Sequence, residues 1–127
     1  MTTQITVWGR NRPGNLAKIT GALAAKGVNL LGVYASDAKG RSALRVLVSK
    51  AANAKAALKA AGFRTSREPV VMISLPDKPG QLARVAAKLA RARVNVHYSY
   101  ATVSRGARRA CIVLGVSSAA AARRALR

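Results

Sequence analysis

Two short stretches of the chain combine the residue types and spacing best suited to binding a small charged ligand. Residues 11–16 (Asn-Arg-Pro-Gly-Asn-Leu) return 66 positions later as residues 77–82 (Asp-Lys-Pro-Gly-Gln-Leu). In each copy an apolar run precedes the Pro-Gly pair, a helical pattern follows it, and that pattern closes on Val-Asn, at Asn29 and Asn95. The first N–H groups of a helix lack intrahelical acceptors and attract anions, and a glycine there permits close approach. Each Pro-Gly turn therefore predicts a carboxylate site.

The asparagine that follows each helix supplies the complementary chemistry. A carboxamide oxygen accepts hydrogen bonds from an ammonium group, and the carboxamide nitrogen donates to a carboxylate. A helix start and an asparagine together therefore predict a receptor for a zwitterion, namely an α-amino acid. The alternative is an ordinary strand-to-helix turn, with an asparagine that serves only the turn before the next strand. Spacing alone leaves both interpretations open.

Other chemistry finds little support in the sequence. The chain has one histidine, His97, one cysteine, Cys111, and only three acidic residues. These cannot form a catalytic triad, a paired-carboxylate site, a disulfide or a cysteine-based zinc cage, and no phosphate-binding GxxxxGK[ST] motif occurs. We therefore expect no enzyme activity and no cofactor, a structural or pocket-lining role for His97, and an inert core thiol at Cys111.

The elements that carry these residues follow a simple order in the first half of the chain. Alternation predicts a half-buried strand over 4–9, with Ile5 and Val7 on one face. Leu16, Ile19 and Leu23 recur at helical spacing, and Pro13 suits the first turn of that helix. Gly27 and Gly62 are placed to end helices. Strands are predicted at 30–36, 41–49 and 63–67, a turn at 37–40 and a helix at 51–61. The order is β-α-β-β-α-β, the ferredoxin-like α+β arrangement with both helices on one face of an antiparallel sheet.

The second half repeats this order, which indicates duplication. Val71 and Ile73 correspond to Ile5 and Val7, and the same 66-residue offset pairs the rest: Leu82, Val85 and Leu89 with Leu16, Ile19 and Leu23; Tyr100-Ala101 with Tyr34-Ala35; Arg105-Gly106 with Lys39-Gly40; Ile112 and Leu114 with Val46 and Val48. A helix is predicted over 118–126, after which the fourth strand is missing, so the edge of the first strand is bare or covered by something else. We expect one unit over 1–68 and another over 69–127.

Two units of about 60 residues each are marginal alone, so we expect them to pack or to oligomerise. The sheet face opposite the helices carries apolar side chains, namely Leu47, Met72, Cys111 and Val113, with Trp8 a further candidate. A homodimer formed face to face would cover them. In the alternative, the two copies cover each other within one chain.

The charge of the chain is extreme, with 23 basic residues against three acids and a net charge of +20. Such a field favours anionic partners, including non-specific nucleic acid. The simpler interpretation is that the exposed faces are rich in lysine and arginine without a dedicated polyanion site, because the basic residues are spread along the chain. No secretory signal or membrane-spanning run is apparent, so a cytoplasmic location without membrane contact is expected.

The paired pattern D/N-x-P-G-x-L, helix, V-N-[ILV] resembles the ACT domain, a small regulatory module of amino-acid metabolism, over residues 4–116. Two copies in a short chain, with residues 95–101 (Asn-Val-His-Tyr-Ser-Tyr-Ala) in the second, are similar to stand-alone tandem ACT proteins. The resemblance implies a βαββαβ fold and a free amino acid bound between ACT units, held by the β1–α1 loop and the start of β2. It also implies action as a free sensor or on an enzyme in trans. The implied ligand-binding residues are Asn11, Arg12, Pro13, Gly14, Asn15, Leu16, Asn29 and Leu30 in the first copy, and Asp77, Lys78, Pro79, Gly80, Gln81, Leu82, Asn95, Val96, His97 and Tyr98 in the second. The second copy is expected to be the better site, because it has the acidic first position and because His97 and Tyr98 follow its asparagine.

RNA binding is the rival hypothesis, because the RNA-recognition motif shares the βαββαβ order. That motif stacks bases on aromatic residues of its central strands. Residues 39–46 begin like the relevant motif but place Arg41, Ala43 and Val46 where the aromatic residues belong, and residues 105–112 do no better. The sequence therefore predicts that any nucleic-acid affinity is electrostatic and non-specific.

Overall fold

The computed structural model describes residues 3–10, 12–38, 41–103 and 108–127. The chain divides into two compact units, unit 1 over Met1–Glu68 and unit 2 over Pro69–Arg127. No helix in the described ranges is long and apolar enough to cross a membrane.

Unit 1 has the predicted βαββαβ order. Its elements are β1 (Thr3–Arg10), α1 (Asn15–Ala25), β2 (Leu30–Ala38), β3 (Arg41–Val48), α2 (Ala51–Ala60) and β4 (Arg64–Glu68). The strands form an antiparallel sheet in the order β2-β3-β1-β4, so β1 is a central strand. Of the turn predicted at 37–40, the first two residues belong to β2, and Lys39 and Gly40 lie outside the described residues.

Unit 2 repeats this order without its last strand, as predicted. Its elements are β5 (Val70–Pro76), α3 (Gln81–Arg91), β6 (Val96–Val103), β7 (Arg109–Val116) and α4 (Ala119–Ala125). Three antiparallel strands lie in the order β5-β7-β6, and within the described part of unit 2 no strand pairs with the outer edge of β5. On α4, Arg123 donates a hydrogen bond to the Val70 carbonyl oxygen at 3.5 Å, so the helix tethers the start of this strand.

Each unit has its own aliphatic core between the sheet and the two helices. In unit 1 the core contains Ile5, Val7, Ile19, Leu23 and Val46, and the residues that correspond to them in unit 2 are buried or partly buried in the same way: Val71, Ile73, Val85, Leu89 and Leu114. The period-2 pattern of the strands and the helical spacing of Ile19 and Leu23 are therefore confirmed.

The sheet face opposite the helices departs from the expected pattern. Strand β1 is not half-buried, because Gln4 and Thr6 on this second face have no exposed surface. Arg45 and Glu68, on either side of β1, form an ion pair with Nε and Oε2 3.3 Å apart, and the strand register places this pair across Thr6 and Gln4. The prediction of a buried core thiol is wrong for Cys111, which is only partly buried.

The remaining apolar residues predicted on this face divide into two groups. Leu47 and Val113 are at most 1% exposed in the single chain, so neither needs a second copy to cover it. Trp8 and Met72 are more than a third exposed. The apolar surface left uncovered is therefore smaller than the sequence suggested.

The duplication has a change of register that the sequence pattern concealed. Val33 pairs with Val46 in unit 1, whereas the corresponding Ser99 pairs with Leu114 in unit 2. Val46 therefore corresponds to Leu114, at an offset of 68, and the predicted match with Ile112 is wrong. Because side chains alternate with a period of two, a two-residue insertion in the β6–β7 connection leaves every side chain on the same face. The match predicted for Arg105-Gly106 lies outside the described residues.

Three helices end in the same hydrogen-bonded motif, with a residue at positive φ. Gly27 (φ 68°) and Gly62 (φ 88°) confirm the predicted helix ends. After α3 the corresponding residue is Arg93, the one non-glycine residue with positive φ in the described ranges, at 57°. In each case the next residue donates its N–H to a carbonyl five residues earlier, for example Val94 to Leu89 at 2.9 Å. This is the Schellman motif, which favours glycine.

Candidate functional site

The two Pro-Gly pairs form the same tight turn. The Asn15 N–H donates to the Arg12 carbonyl oxygen at 3.2 Å, and Gly14 has φ 86° and ψ −9°. These are the values of a type II turn, which takes proline at its second position and glycine at its third. In unit 2 the Gln81 N–H donates to the Lys78 carbonyl oxygen at 3.4 Å, and Gly80 has φ 87° and ψ −12°. Proline thus lies in the turn, before the helix cap, and the prediction that it occupies the first helical turn is wrong.

Helices α1 and α3 begin without a side-chain cap. Their N-cap residues are Gly14 and Gly80, which have no side chain to accept a hydrogen bond, and neither helix has an acidic residue in its first turn. By contrast, α4 is capped by Ser118, whose hydroxyl accepts from the Ala121 N–H at 3.1 Å. The second and third N–H groups of α1 and α3 have no acceptor within their helices. Both turns therefore present a positively polarised helix end to an incoming anion.

The leucines that open these helices do not join the core. Leu16 is 55% exposed and Leu82 is 47% exposed, although their spacing predicts burial alongside Ile19 and Val85. They lie on the first turn, beyond the end of the packed layer, so they are available to contact a ligand. Asn15 and Gln81 beside them are partly buried.

Most of the other predicted loop residues are exposed. Exposed positions are Arg12, Pro13 and Gly14 in unit 1 and Asp77, Lys78, Pro79 and Gly80 in unit 2, whereas Asn11 lies outside the described residues. The Asp77 N–H donates to the Arg108 carbonyl oxygen at 2.8 Å, which ties the second loop to the residue before β7.

The two asparagines are held in place through their backbone, which leaves the side chain for other contacts. Asn29 donates its N–H to the Ser49 hydroxyl at 3.3 Å, and its carbonyl oxygen accepts from the Ser49 N–H at 3.2 Å. Asn95 makes the same pair of bonds with Ser117, at 3.0 and 2.9 Å. Both asparagines are exposed. A serine that fixes the asparagine backbone in each unit was not identified from the sequence.

A β-bulge follows each asparagine. The pairing skips Leu31 between Leu30 and Gly32 in unit 1, and it skips His97 between Val96 and Tyr98 in unit 2. Both bulged residues are exposed. Bulges turn side chains out of the regular alternation and are frequent beside binding sites. The bulge therefore leaves one exposed side chain outside the regular strand pairing at the start of each strand, Leu31 in β2 and His97 in β6.

The residues around the bulges have different surroundings. Leu30 is partly buried against the core of unit 1, and Val96 is exposed. The partly buried Tyr98 ring lies over Gly115, where an added Cβ would clash with the ring. Tyr98 therefore needs a glycine opposite it, and its ring packs on its own sheet. No group of three His, Cys, Asp or Glu side chains in the described ranges is arranged to hold a metal ion.

Within one unit, the turn and the asparagine lie at opposite ends of the sheet. Leu30, next to Asn29, aligns through Val48 with Thr3 at the start of β1, whereas the Pro-Gly turn follows the end of β1 at Arg10. The eight residues of β1 are separated by seven steps of about 3.3 Å, so these ends are roughly 23 Å apart. Unit 2 has the same arrangement. A single ligand molecule therefore cannot contact the turn and the asparagine of the same unit.

A cavity of about 180 Å³ lies beside the start of α1 in unit 1. Buried apolar side chains form its inner wall, and exposed residues including Gly9, Leu16 and Ala35 surround its opening. Its lining residues are Val7, Trp8, Gly9, Asn15, Leu16, Ile19, Ala35, Ser36, Ser42, Ala43, Leu44 and Phe63. Only Asn15 and Leu16 belong to the predicted site. The cavity lies in unit 1, although the sequence favoured unit 2 as the better site.

These features, a duplicated βαββαβ unit with a Pro-Gly turn before an uncapped helix, agree with the comparison with known families. Two family models, both of the ACT domain, match residues 2–68 and residues 69–127. The chain belongs to the ACT-domain family. It contains two ACT domains in tandem, and ACT domains are regulatory modules. No curated protein matches the chain significantly.

Several solved structures are similar to this chain over almost its whole length. The chain is 29% identical to protein BT0572 from Bacteroides thetaiotaomicron, with a TM-score of 0.89 over 98% of this chain and 85% of that one. It is 22% identical to the ligand-free regulatory subunit of aspartate kinase from Thermus thermophilus, with a TM-score of 0.72 over 98% and 89% of the two chains. The corresponding subunit from Thermus flavus gives 22% identity and a TM-score of 0.66 over 98% and 90%. At this level of identity the two Thermus proteins share the fold.

Proposed function

We propose that this tandem ACT protein is a sensor of a free amino acid and that the bound form regulates an enzyme in trans. The observation that carries the proposal is the duplicated type II turn, which leads in both units to a helix start without a side-chain cap. A carboxylate fits there, since the second and third N–H groups of α1 and α3 have no acceptor within their helices and are polarised toward an anion.

The ammonium group of the ligand takes the second half of the receptor, the carboxamide of Asn29 or Asn95. Because the turn and the asparagine of one unit are roughly 23 Å apart, we propose that each site combines the turn of one ACT unit with the asparagine of another. When two units are related by a two-fold axis perpendicular to their strands, the strands of the two units run in opposite directions. The turn end of one unit can then lie beside the asparagine end of the other. A homodimer of this chain supplies such pairs.

Binding of this kind regulates through an equilibrium. A ligand that contacts two ACT units stabilises the arrangement in which both contacts are made, and so shifts the population toward that arrangement. The chain then needs no catalytic group of its own, because the change in assembly is passed to the partner enzyme.

A thermal-shift panel of the twenty amino acids tests the sensor function. At a concentration 100 times Kd, a ligand stabilises the folded state by about 2.7 kcal/mol, which raises the melting temperature of a protein of this size by several degrees. If no amino acid raises the melting temperature at millimolar concentration, the proposed function is wrong.

Replacement of the asparagines tests the site itself. Asn29→Ala and Asn95→Ala remove the carboxamide and retain the backbone hydrogen bonds to Ser49 and Ser117, so both variants should fold normally. We expect the double variant to lose the amino-acid-induced shift. Asn53→Ala, which removes an exposed asparagine of α2, is the matched control and should respond like the wild type. An undiminished response of the double variant would place the receptor elsewhere.

A further inference from the structure

The position of Gly9 beside the cavity of unit 1 is taken in unit 2 by a residue with a large side chain. Gly9 pairs with Ser42, and the corresponding residue in unit 2, Leu75, pairs with Ala110. Leu75 packs against the hydrophobic core of unit 2. At the equivalent position unit 1 has Gly9, which has no side chain. The space that corresponds to the Leu75 side chain is therefore open in unit 1.

Building a side chain at Gly9 supports this correspondence. Ile5, Val7 and Gly9 alternate along β1, so a side chain at position 9 would lie on the face that packs against the helices. An added Cβ at Gly9 meets no atom within 4 Å. The space on this side of β1 is therefore large enough for added atoms without displacing a neighbour.

The size and lining of the cavity limit what can occupy it. Its volume is about 180 Å³, and a dry cavity of about 150 Å³ is known to accept benzene. The apolar lining on the helix-facing side of the sheet includes Val7, Ile19 and Leu44, each at most 8% exposed. The polar lining residues are Asn15, Ser36 and Ser42. Val7, Ile19 and Leu44 offer no hydrogen bond, so a charged side chain buried against them would be unfavourable.

The position of the cavity connects it to the proposed amino-acid site. Asn15 and Leu16, which line it, are the first two residues of α1. A carboxylate on the N–H groups of this helix start lies at the edge of the cavity, so the side chain of the same ligand can enter it.

We propose that unit 1 binds an amino acid with an apolar side chain of about leucine to phenylalanine size, and that this side chain occupies the cavity beside Gly9. The inference rests on the proposed amino-acid sensor function and adds the class of the ligand. Unit 2 has Leu75 at the position of Gly9, so unit 1 is the unit that selects for an apolar side chain.

Isothermal titration calorimetry gives a direct readout of binding. Titration of the wild type with leucine, isoleucine, methionine and phenylalanine should give a saturable heat of binding, and each of these amino acids should raise the melting temperature. Each buried methylene changes affinity about fourfold. Leucine has three more side-chain carbons than alanine, so it should bind roughly 60 times more tightly. Serine, aspartate and lysine should have no effect at the same concentrations.

Gly9→Leu tests the assignment of the cavity. This variant copies unit 2 and fills the cavity, so it should bind leucine at least about tenfold more weakly while remaining folded. Gly21→Leu adds the same side chain at an exposed glycine of α1 that does not line the cavity. It should bind leucine like the wild type.

The outcomes separate this inference from the proposed function. If serine, aspartate or lysine stabilises the protein as well as leucine does, or if Gly9→Leu binds leucine undiminished, the cavity does not hold the side chain and the sensor function stands. If none of the twenty amino acids stabilises the wild type, both proposals fail.

Discussion

Arg93 adopts a backbone conformation that suits glycine, so its replacement by glycine should stabilise the end of α3. Its φ of 57° is in the left-handed region, which costs a residue with a Cβ about 1–2 kcal/mol. Glycine removes this strain, but its greater chain entropy stabilises the unfolded state by about 0.5–1 kcal/mol. Arg93→Gly should therefore increase the free energy of unfolding by about 1 kcal/mol, which corresponds to roughly 4 °C in melting temperature.

The assay is urea-induced unfolding followed by circular dichroism. Because two units of one chain can unfold separately, hydrogen exchange of the α3 amides should show that the gain belongs to unit 2. The reverse experiment is possible in unit 1, where Gly27 lies at the matching position with φ 68°. Gly27→Ala adds a Cβ there and should lower the free energy of unfolding by about 1 kcal/mol.

Ala92→Gly is the control for chain entropy. Ala92 precedes Arg93 and has φ −83°, where glycine relieves no strain, so this variant should be destabilised by about 0.5–1 kcal/mol. The reasoning is refuted if Arg93→Gly loses as much stability as Ala92→Gly, because left-handed strain would then contribute nothing at this helix end.

Two further predictions concern the opposite sheet face and the net charge. The hydroxyl oxygen of Thr6 is buried without a hydrogen-bond partner among the described residues, so Thr6→Val should stabilise the protein by about 1 kcal/mol in thermal or urea unfolding; a loss of stability would show that the hydroxyl does have a partner. Nucleic-acid binding, if measured by fluorescence anisotropy at low salt, should fall steeply as salt is raised and should not depend on sequence. Tight, sequence-selective binding at physiological salt would support the RNA-binding hypothesis over the sensor.

Much of the fold was predictable because its determinants are local. Alternation identified β1 through Ile5 and Val7, helical spacing identified α1 through Ile19 and Leu23, and Gly27 marked the end of α1. Each of these signals depends on the geometry of a few consecutive residues. The duplication was also readable, since the two copies keep their offset from β1 through the start of β2.

Errors arose where distant residues determine the environment. The burial of Thr6 depends on β1 being a central strand with Arg45 and Glu68 on its neighbours, and no local pattern contains that information. The 68-residue offset of β7 was hidden for a different reason. A two-residue insertion preserves the alternation of a strand, so Ile112 and Leu114 face the core in either register.

The same division applies to the candidate site. The sequence by itself located the Pro-Gly turns and the helix starts after Gly14 and Gly80, although it placed proline in the first helical turn. Proline restricts φ and glycine permits its positive value. It also predicted Asn29 and Asn95 as candidate ligand-binding residues. Only the tertiary structure decided that turn and asparagine lie at opposite ends of a unit, and that a cavity opens beside Gly9 where Leu75 fills the other unit. Strand direction and the packing of helix on sheet set these distances, and both depend on contacts between residues far apart in the chain.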